Sequence, residues 1–114
     1  MERVRSSTRN VGIPAQKVRL VMDLVRGLAA VDALNMLKFV PNAAAKPVAK
    51  TIRTAIANAE EVVGLSRDDL IVGEIYADEG PTLRRGRAGA RGRYKPILKR
   101  SSHITVVLEE REAE

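Results

Sequence analysis

A chain of 114 residues with 20 Lys and Arg against 14 Asp and Glu carries a formal charge of +6, and at that length it forms one domain with one core. The lack of cysteine and the single histidine exclude a disulfide framework and thiolate or imidazole metal clusters. No apolar run approaches the ~20 residues of a membrane helix, and the N-terminus MERVRSSTRN lacks the apolar segment of a secretory signal, so a soluble cytoplasmic protein with no membrane partner is expected.

In chain order, RVRSSTRNV (3–11) alternates weakly and predicts an edge strand held by two others. In PAQKVRLVMDLVRG, Val18, Val21, Met22, Val25 and Leu28 recur at helical spacing, with Arg19, Asp23 and Arg26 on the opposite side. Pro14 suits the first turn and Gly27 the end, giving a helix over about 14–26. A shorter helix fits about 30–38, burying Ala33, Leu34 and Leu37 and stopping before Pro41. From Asn42 to about Val63 an apolar stripe of Val48, Ile52, Ala55, Ile56, Ala59, Val62 and Val63 predicts a long central helix. Pro47 within it requires either a kink or a start nearer Ala45. After Gly64 the pattern turns to strands: LIVGEIYA (70–77), then SHITVVLEE (102–110) with Ile104, Val106 and Leu108 on one face. The expected fold is α+β, with three helices on one face of a small three-stranded antiparallel sheet. It forms a single domain over 1–114 that closes in a short acidic tail at 109–114.

The last two strands are joined by an arm from about 78 to 102. Within 81–100 lie Arg84, Arg85, Arg87, Arg91, Arg93, Lys95, Lys99 and Arg100 and no acid, leaving twelve bases against fourteen acids in the rest of the chain. Charge so concentrated repels itself unless a polyanion lies among it. The arm is either a long loop, of a length that in compact domains is usually functional, or a hairpin that continues both strands. Gly86, Gly89 and Gly92 put its turn near the middle. As a hairpin it would reach ~30–35 Å beyond the sheet, with too few apolar residues for a core of its own. Arginine forks bind phosphate oxygens bidentately, and basic elements draw affinity from the counterions they release, so nucleic acid is the expected partner. Tyr94 is the one aromatic residue of the arm, which points to reading of backbone and shape rather than base stacking.

Competing motifs are weak. GRAG at 86–89 matches the GxxG loop of KH domains, but that loop joins helices and this one lies between strands. The glycine spacing of a phosphate-cradling loop lacks the Gly-Lys-Ser/Thr that would complete it. Asp68-Asp69 and Asp78-Glu79 sit at turns or strand ends with no accompanying ligand cluster, and His103 reads as a packed or hydrogen-bonded strand residue. No nucleophile, base and orienter share a workable spacing. The chain therefore reads as a non-enzyme with no catalytic residues, no metal site and no cofactor.

Four stretches carry a resemblance: IPAQKVRLVMDLVRG, TAIANAEEVVGL, IYADEGPTLRR and GRAGARGRYKPILKRSSHITVV. In order and spacing they resemble the L-twenty-two family of universal large-subunit ribosomal proteins, bacterial type, from about Val11 to Leu108. The elements DEGP and KRSSHITVV are the most specific. The resemblance implies an α+β body on large-subunit ribosomal RNA near the peptide exit, with a long β-hairpin threading between RNA segments. It further implies that the hairpin tip lines the tunnel beside the nascent peptide, that other ribosomal proteins are neighbours, and that the protein aids subunit assembly. Carried over by position, RNA contacts fall on Lys17 and Arg19 in the first helix and on Arg84, Arg85, Arg91, Arg93, Lys99 and Arg100 in the arm. The charge pattern adds Arg87 and Lys95 to that set. Where relatives have Ser-Pro before the first helix this chain has Pro14-Ala15, so a serine cap is absent. At the tip it has GRAG in place of a larger apolar or aromatic residue and a proline.

Two other classes are weaker matches. An architectural DNA-binding protein could use a basic β-arm, but such arms commonly wedge apolar residues between base steps, and the tip offers Gly and Ala. A membrane-surface segment needs an apolar face opposite the charges, for which only Leu83, Tyr94, Ile97 and Leu98 are available.

Overall fold

The computed structural model of the chain describes residues 3–88 and 94–111, and for 85, 87, 88 and 94–97 the description concerns the backbone alone. Strand β1 (Arg3–Val11) leads into α1 (Ala15–Val25), α2 (Ala30–Leu37) and α3 (Ala45–Asn58), then β2 (Leu70–Glu79), β3 (Leu83–Ala88), β4 (Tyr94–Lys99) and β5 (Ser102–Glu110). One antiparallel sheet has the order β1-β5-β2, and β3 and β4 form a second, two-stranded ladder. The class is α+β. β1 is an edge strand as expected, yet it is held by β5 alone: β5 takes the centre because its Ile104, Val106 and Leu108 are fully buried and need cover along their whole length. Glu109 and Glu110, read as the start of the acidic tail, belong to β5 and pair with Ile71 and Leu70; residues 112–114 of that tail lie outside the described residues.

The helices cover one face of this sheet. α1 buries Val18, Val21, Met22 and Val25 mainly against β2. α3 buries Val48, Ile52, Ala55 and Ile56 against β1 and β5. Pro47 causes no kink, because α3 begins at Ala45 and the missing N–H falls in the first turn, where it has no intrahelical acceptor to lose. One buried polar group inside the interface is satisfied: the Thr51 hydroxyl donates to the Pro47 carbonyl at 2.9 Å and meets the Thr8 hydroxyl at 2.7 Å.

The apolar stripe does not run to Val63. After Asn58 the helix widens into a π turn over Ala59–Val63, which Gly64 ends in the left-handed region at φ 82°. The extra residue in that turn rotates the end of the helix about its axis, so Val62 and Val63 are 80% and 41% exposed instead of buried. Downstream, Arg67 and Glu60 form an ion pair at 2.8 Å, and this bond raises the arginine pKa above its ordinary value.

β2 lies at the other edge of the sheet, and α1 covers its free side. The Arg19 Nε and Nη2 donate to the Ala77 carbonyl at 3.2 and 2.7 Å, and the Arg26 Nη2 donates to the Ile75 carbonyl at 2.9 Å. Further along, the Gly27 N–H donates to the Val72 carbonyl and the Val72 N–H to the Leu28 carbonyl. An edge with its acceptors occupied in this way is a poor template for another strand.

Candidate nucleic-acid interface

The basic segment is built on the end of the sheet. β2 and β5 pair as far as Glu79 with Ser102, and beyond that point two bonds form a neck: the Gly80 N–H donates to the Ser101 carbonyl at 2.9 Å and the Ser101 hydroxyl to the Pro81 carbonyl at 2.7 Å. A Cβ on Gly80 would sit 2.7 Å from the Ser101 Oγ and 3.1 Å from the His103 ring. A side chain at residue 80 would force the Ser101 hydroxyl to move. Gly80→Ala is expected to cost about 1–2 kcal/mol by displacing the Ser101 hydroxyl from its acceptor, measured by urea unfolding; an unchanged midpoint would show that the neck tolerates a methyl group. Gly80 and Ser101 were not singled out in the sequence, although the Gly-Pro pair inside DEGP is a turn signal.

Past the neck the ladder pairs Leu83 with Lys99, Arg84 with Leu98, Arg85 with Ile97, Gly86 with Pro96, Arg87 with Lys95 and Ala88 with Tyr94. Directly opposed positions share a face, and successive positions along a strand change face. The positions of Arg85, Arg87, Lys95 and Lys99 therefore belong to one face, and that of Arg84 to the other. Pro96 is tolerated because both strands of a two-stranded ladder are edges. Leu83, Arg84, Leu98, Lys99 and Arg100 are exposed. Arg91 and Arg93, with the middle of the arm where the turn is expected, lie outside the described residues. The Cα radius of gyration is 17.3 Å with extents of 68 × 26 × 17 Å, where a sphere-like chain of this length has about 13 Å. The molecule is elongated.

The base of the ladder meets the start of α1. The Ser102 hydroxyl donates to the Ile13 carbonyl at 2.8 Å and fixes the approach to the helix, while the Asn10 N–H donates to Nδ1 of His103, which makes that histidine a hydrogen-bonded strand residue. Pro14 is the N-cap and no side chain caps the helix, as the missing serine led us to expect. A cleft of about 220 Å³ opens there, lined by Pro14, Gln16, Gly80, Thr82, Arg100 and the carboxylate-bearing Glu79. Lys17, one residue beyond the cleft, is exposed in the first turn of α1. Arg19 has two of its five donors committed to Ala77 and remains exposed, so it both ties α1 to β2 and keeps donors for a phosphate. Among the described residues no cluster of three or more metal-ligating side chains occurs, and no helix is long and apolar enough to cross a membrane.

A basic ladder beside an uncapped helix start suits a polyanion without saying which. The family model described as Ribosomal protein L22p/L17e matches residues 6–109. The chain belongs to this ribosomal protein family. Relatives at high identity cover almost all of it. One, the large ribosomal subunit protein uL22 of Cutibacterium acnes, is 54% identical over 105 residues, 92% of this chain and 69% of that protein. Another, the large ribosomal subunit protein uL22 of Latilactobacillus sakei subsp. sakei, is 49% identical over 108 residues, 95% of this chain and 92% of its own length. The L22p/L17e family is structural and not enzymatic, in accord with a sequence in which no catalytic set could be assembled.

Proposed function

We infer that this protein is a structural constituent of the large ribosomal subunit that binds large-subunit ribosomal RNA and aids subunit assembly in the cytoplasm. Family membership supports the ribosomal role. The observation that carries RNA binding is the ladder register, which gathers four cationic positions on one face of an element joined to the body through a tight neck. Arg85, Arg87, Lys95 and Lys99 make the phosphate contacts along the ladder, with Arg84 and, nearer the tip, Arg91 and Arg93. Arg100, Lys17 and Arg19 bind at its base, where the positive end of α1 adds to the attraction. β3 and β4 form a projecting hairpin threaded between RNA segments, its tip in the wall of the peptide tunnel beside the nascent chain. The body rests against neighbouring ribosomal proteins.

The test is retention. The tagged full-length protein, expressed in its own host, should sediment with large subunits and remain there through a high-salt wash. Crosslinks from the 84–100 segment should map to large-subunit RNA. Recovery only as free protein, or bound to duplex DNA in preference to ribosomal RNA fragments, would overturn the assignment and favour an architectural DNA-binding role.

A further inference from the structure

On the side of the body formed by α2 and α3, a groove of about 520 Å³ runs between the two helices. Its floor is aliphatic, formed by Val31, Leu34, Ala49 and Ile56, of which Val31, Leu34 and Ala49 are only half-buried. Its rim is cationic: Lys38 from the end of α2, Lys46 and Arg53 from α3, and Arg67 from the turn before β2. Among the described residues no carboxylate lines it. Arg67 is paired with Glu60, whereas Lys38, Lys46 and Arg53 have no ion-pair partner among the described residues.

The spacing on α3 is specific. Lys46, Ala49, Arg53 and Ile56 stand at i, i+3, i+7 and i+10, so one stripe of the helix alternates cation, apolar, cation, apolar. The two charges are about 10 Å apart along the axis. A nucleic-acid backbone would match the charges and leave the aliphatic floor facing water. Among the described residues the groove has no aromatic side chain on which a base could stack. A peptide that sets carboxylates between apolar side chains at helical spacing satisfies both features at once.

The geometry points to this groove as a docking site for an acidic amphipathic helix of a partner protein. The partner's apolar residues enter over Leu34 and Ala49, and its carboxylates reach Lys38, Lys46 and Arg53. The site is separate from the arm and does not depend on the arm's binding RNA.

The probe is a capped peptide of about 15 residues with leucines at i, i+3 and i+7 and glutamates between them. Matched controls are a peptide with lysine in place of glutamate, a scrambled peptide, and a short single-stranded RNA. Binding to the full-length chain is followed by amide chemical shifts. The glutamate peptide should perturb residues of α2 and α3 that line the groove, and the lysine and scrambled peptides should not. The double variant Lys46→Glu with Arg53→Glu should weaken binding about tenfold or more. Ala49→Gln, which fills the floor without changing charge, should weaken it comparably. The charged positions are exposed and residue 49 is half-buried, and retained shift dispersion would show that each variant is folded. The proposal fails if the wild-type protein gives no response in the groove, if both folded variants bind as well as the wild type, or if the RNA displaces the peptide from these residues.

Discussion

Replacing Ile52 with Ala should destabilise the protein by about 2–5 kcal/mol, whereas Val62→Ala should change stability by less than about 0.5 kcal/mol. The two residues fall on the same helical stripe in the sequence. In the structure Ile52 is fully buried between α3 and the sheet, and Val62 is 80% exposed on the π turn. Removing the Ile52 side chain leaves a cavity in a core cluster that also holds the fully buried Val48 and Ala55 of the same helix and Val106 and Leu108 of the central strand, so little is free to collapse into it. Against a total of about 5–15 kcal/mol, a loss of that size should lower the thermal midpoint by about 10 °C or more. Parallel urea and thermal melts of the two variants provide the check. Equal effects would mean that the helix continues regularly through Val63 in solution and that the stripe is buried to its end.

The second large effect belongs to the ladder. Changing Arg85, Arg87, Lys95 and Lys99 together to Gln should lower affinity for large-subunit RNA fragments about a hundredfold near 0.15 M salt. It should also flatten the dependence of log K on log salt by about 3, since each lost phosphate contact removes about 0.7–0.9 from the slope. Glutamine stays polar and uncharged, though shorter than arginine or lysine, so a loss of affinity with an unchanged melting temperature separates lost charge from lost fold. Asp78→Asn and Glu79→Gln serve as the comparison and should leave the slope intact. A slope that stays the same in the quadruple variant would place the RNA elsewhere on the protein.

Much of the architecture could be read from periodicity: α1 buries Val18, Val21, Met22 and Val25 as their spacing predicts. Leu34 of α2, expected in the core, is only half-buried, the alternation of β2 shifts at Gly73, and β5 buries Thr105 and Val107 as well as Ile104, Val106 and Leu108. For Pro47 the sequence left two outcomes, a kink or a start nearer Ala45, and α3 takes the second. Two features were not legible, for different physical reasons. The π turn adds a single residue to one turn, and nothing in the composition of AEEVV distinguishes that from regular helix, so periodicity alone puts Val62 and Val63 in the core. The role of Arg19 is a matter of reach. A long guanidinium stem can bridge from α1 to the Ala77 carbonyl, and spacing along one helix cannot reveal an acceptor 58 residues away. The cationic residues of the arm were visible as a group, but their division between two faces depends on register, and register depends on where the neck closes at Gly80 and Ser101.

The central place of β5 has a consequence for how the chain is made. Arg3 pairs with Glu109, so the first and last described strands meet across almost the whole sequence, and β1 and β2 share no ladder except through β5. During synthesis the helices and β2 leave the ribosome with no sheet to dock on. Contacts this distant in sequence are slow to form because the loop must close before any pairing stabilises it. A chain halted before Ser102 would display an apolar helix face and two unpaired strands at once, and would be a target for chaperones and proteases. Closure of the sheet therefore waits for a strand that follows the whole basic arm in the sequence, so the arm is synthesised while the sheet behind it is still open.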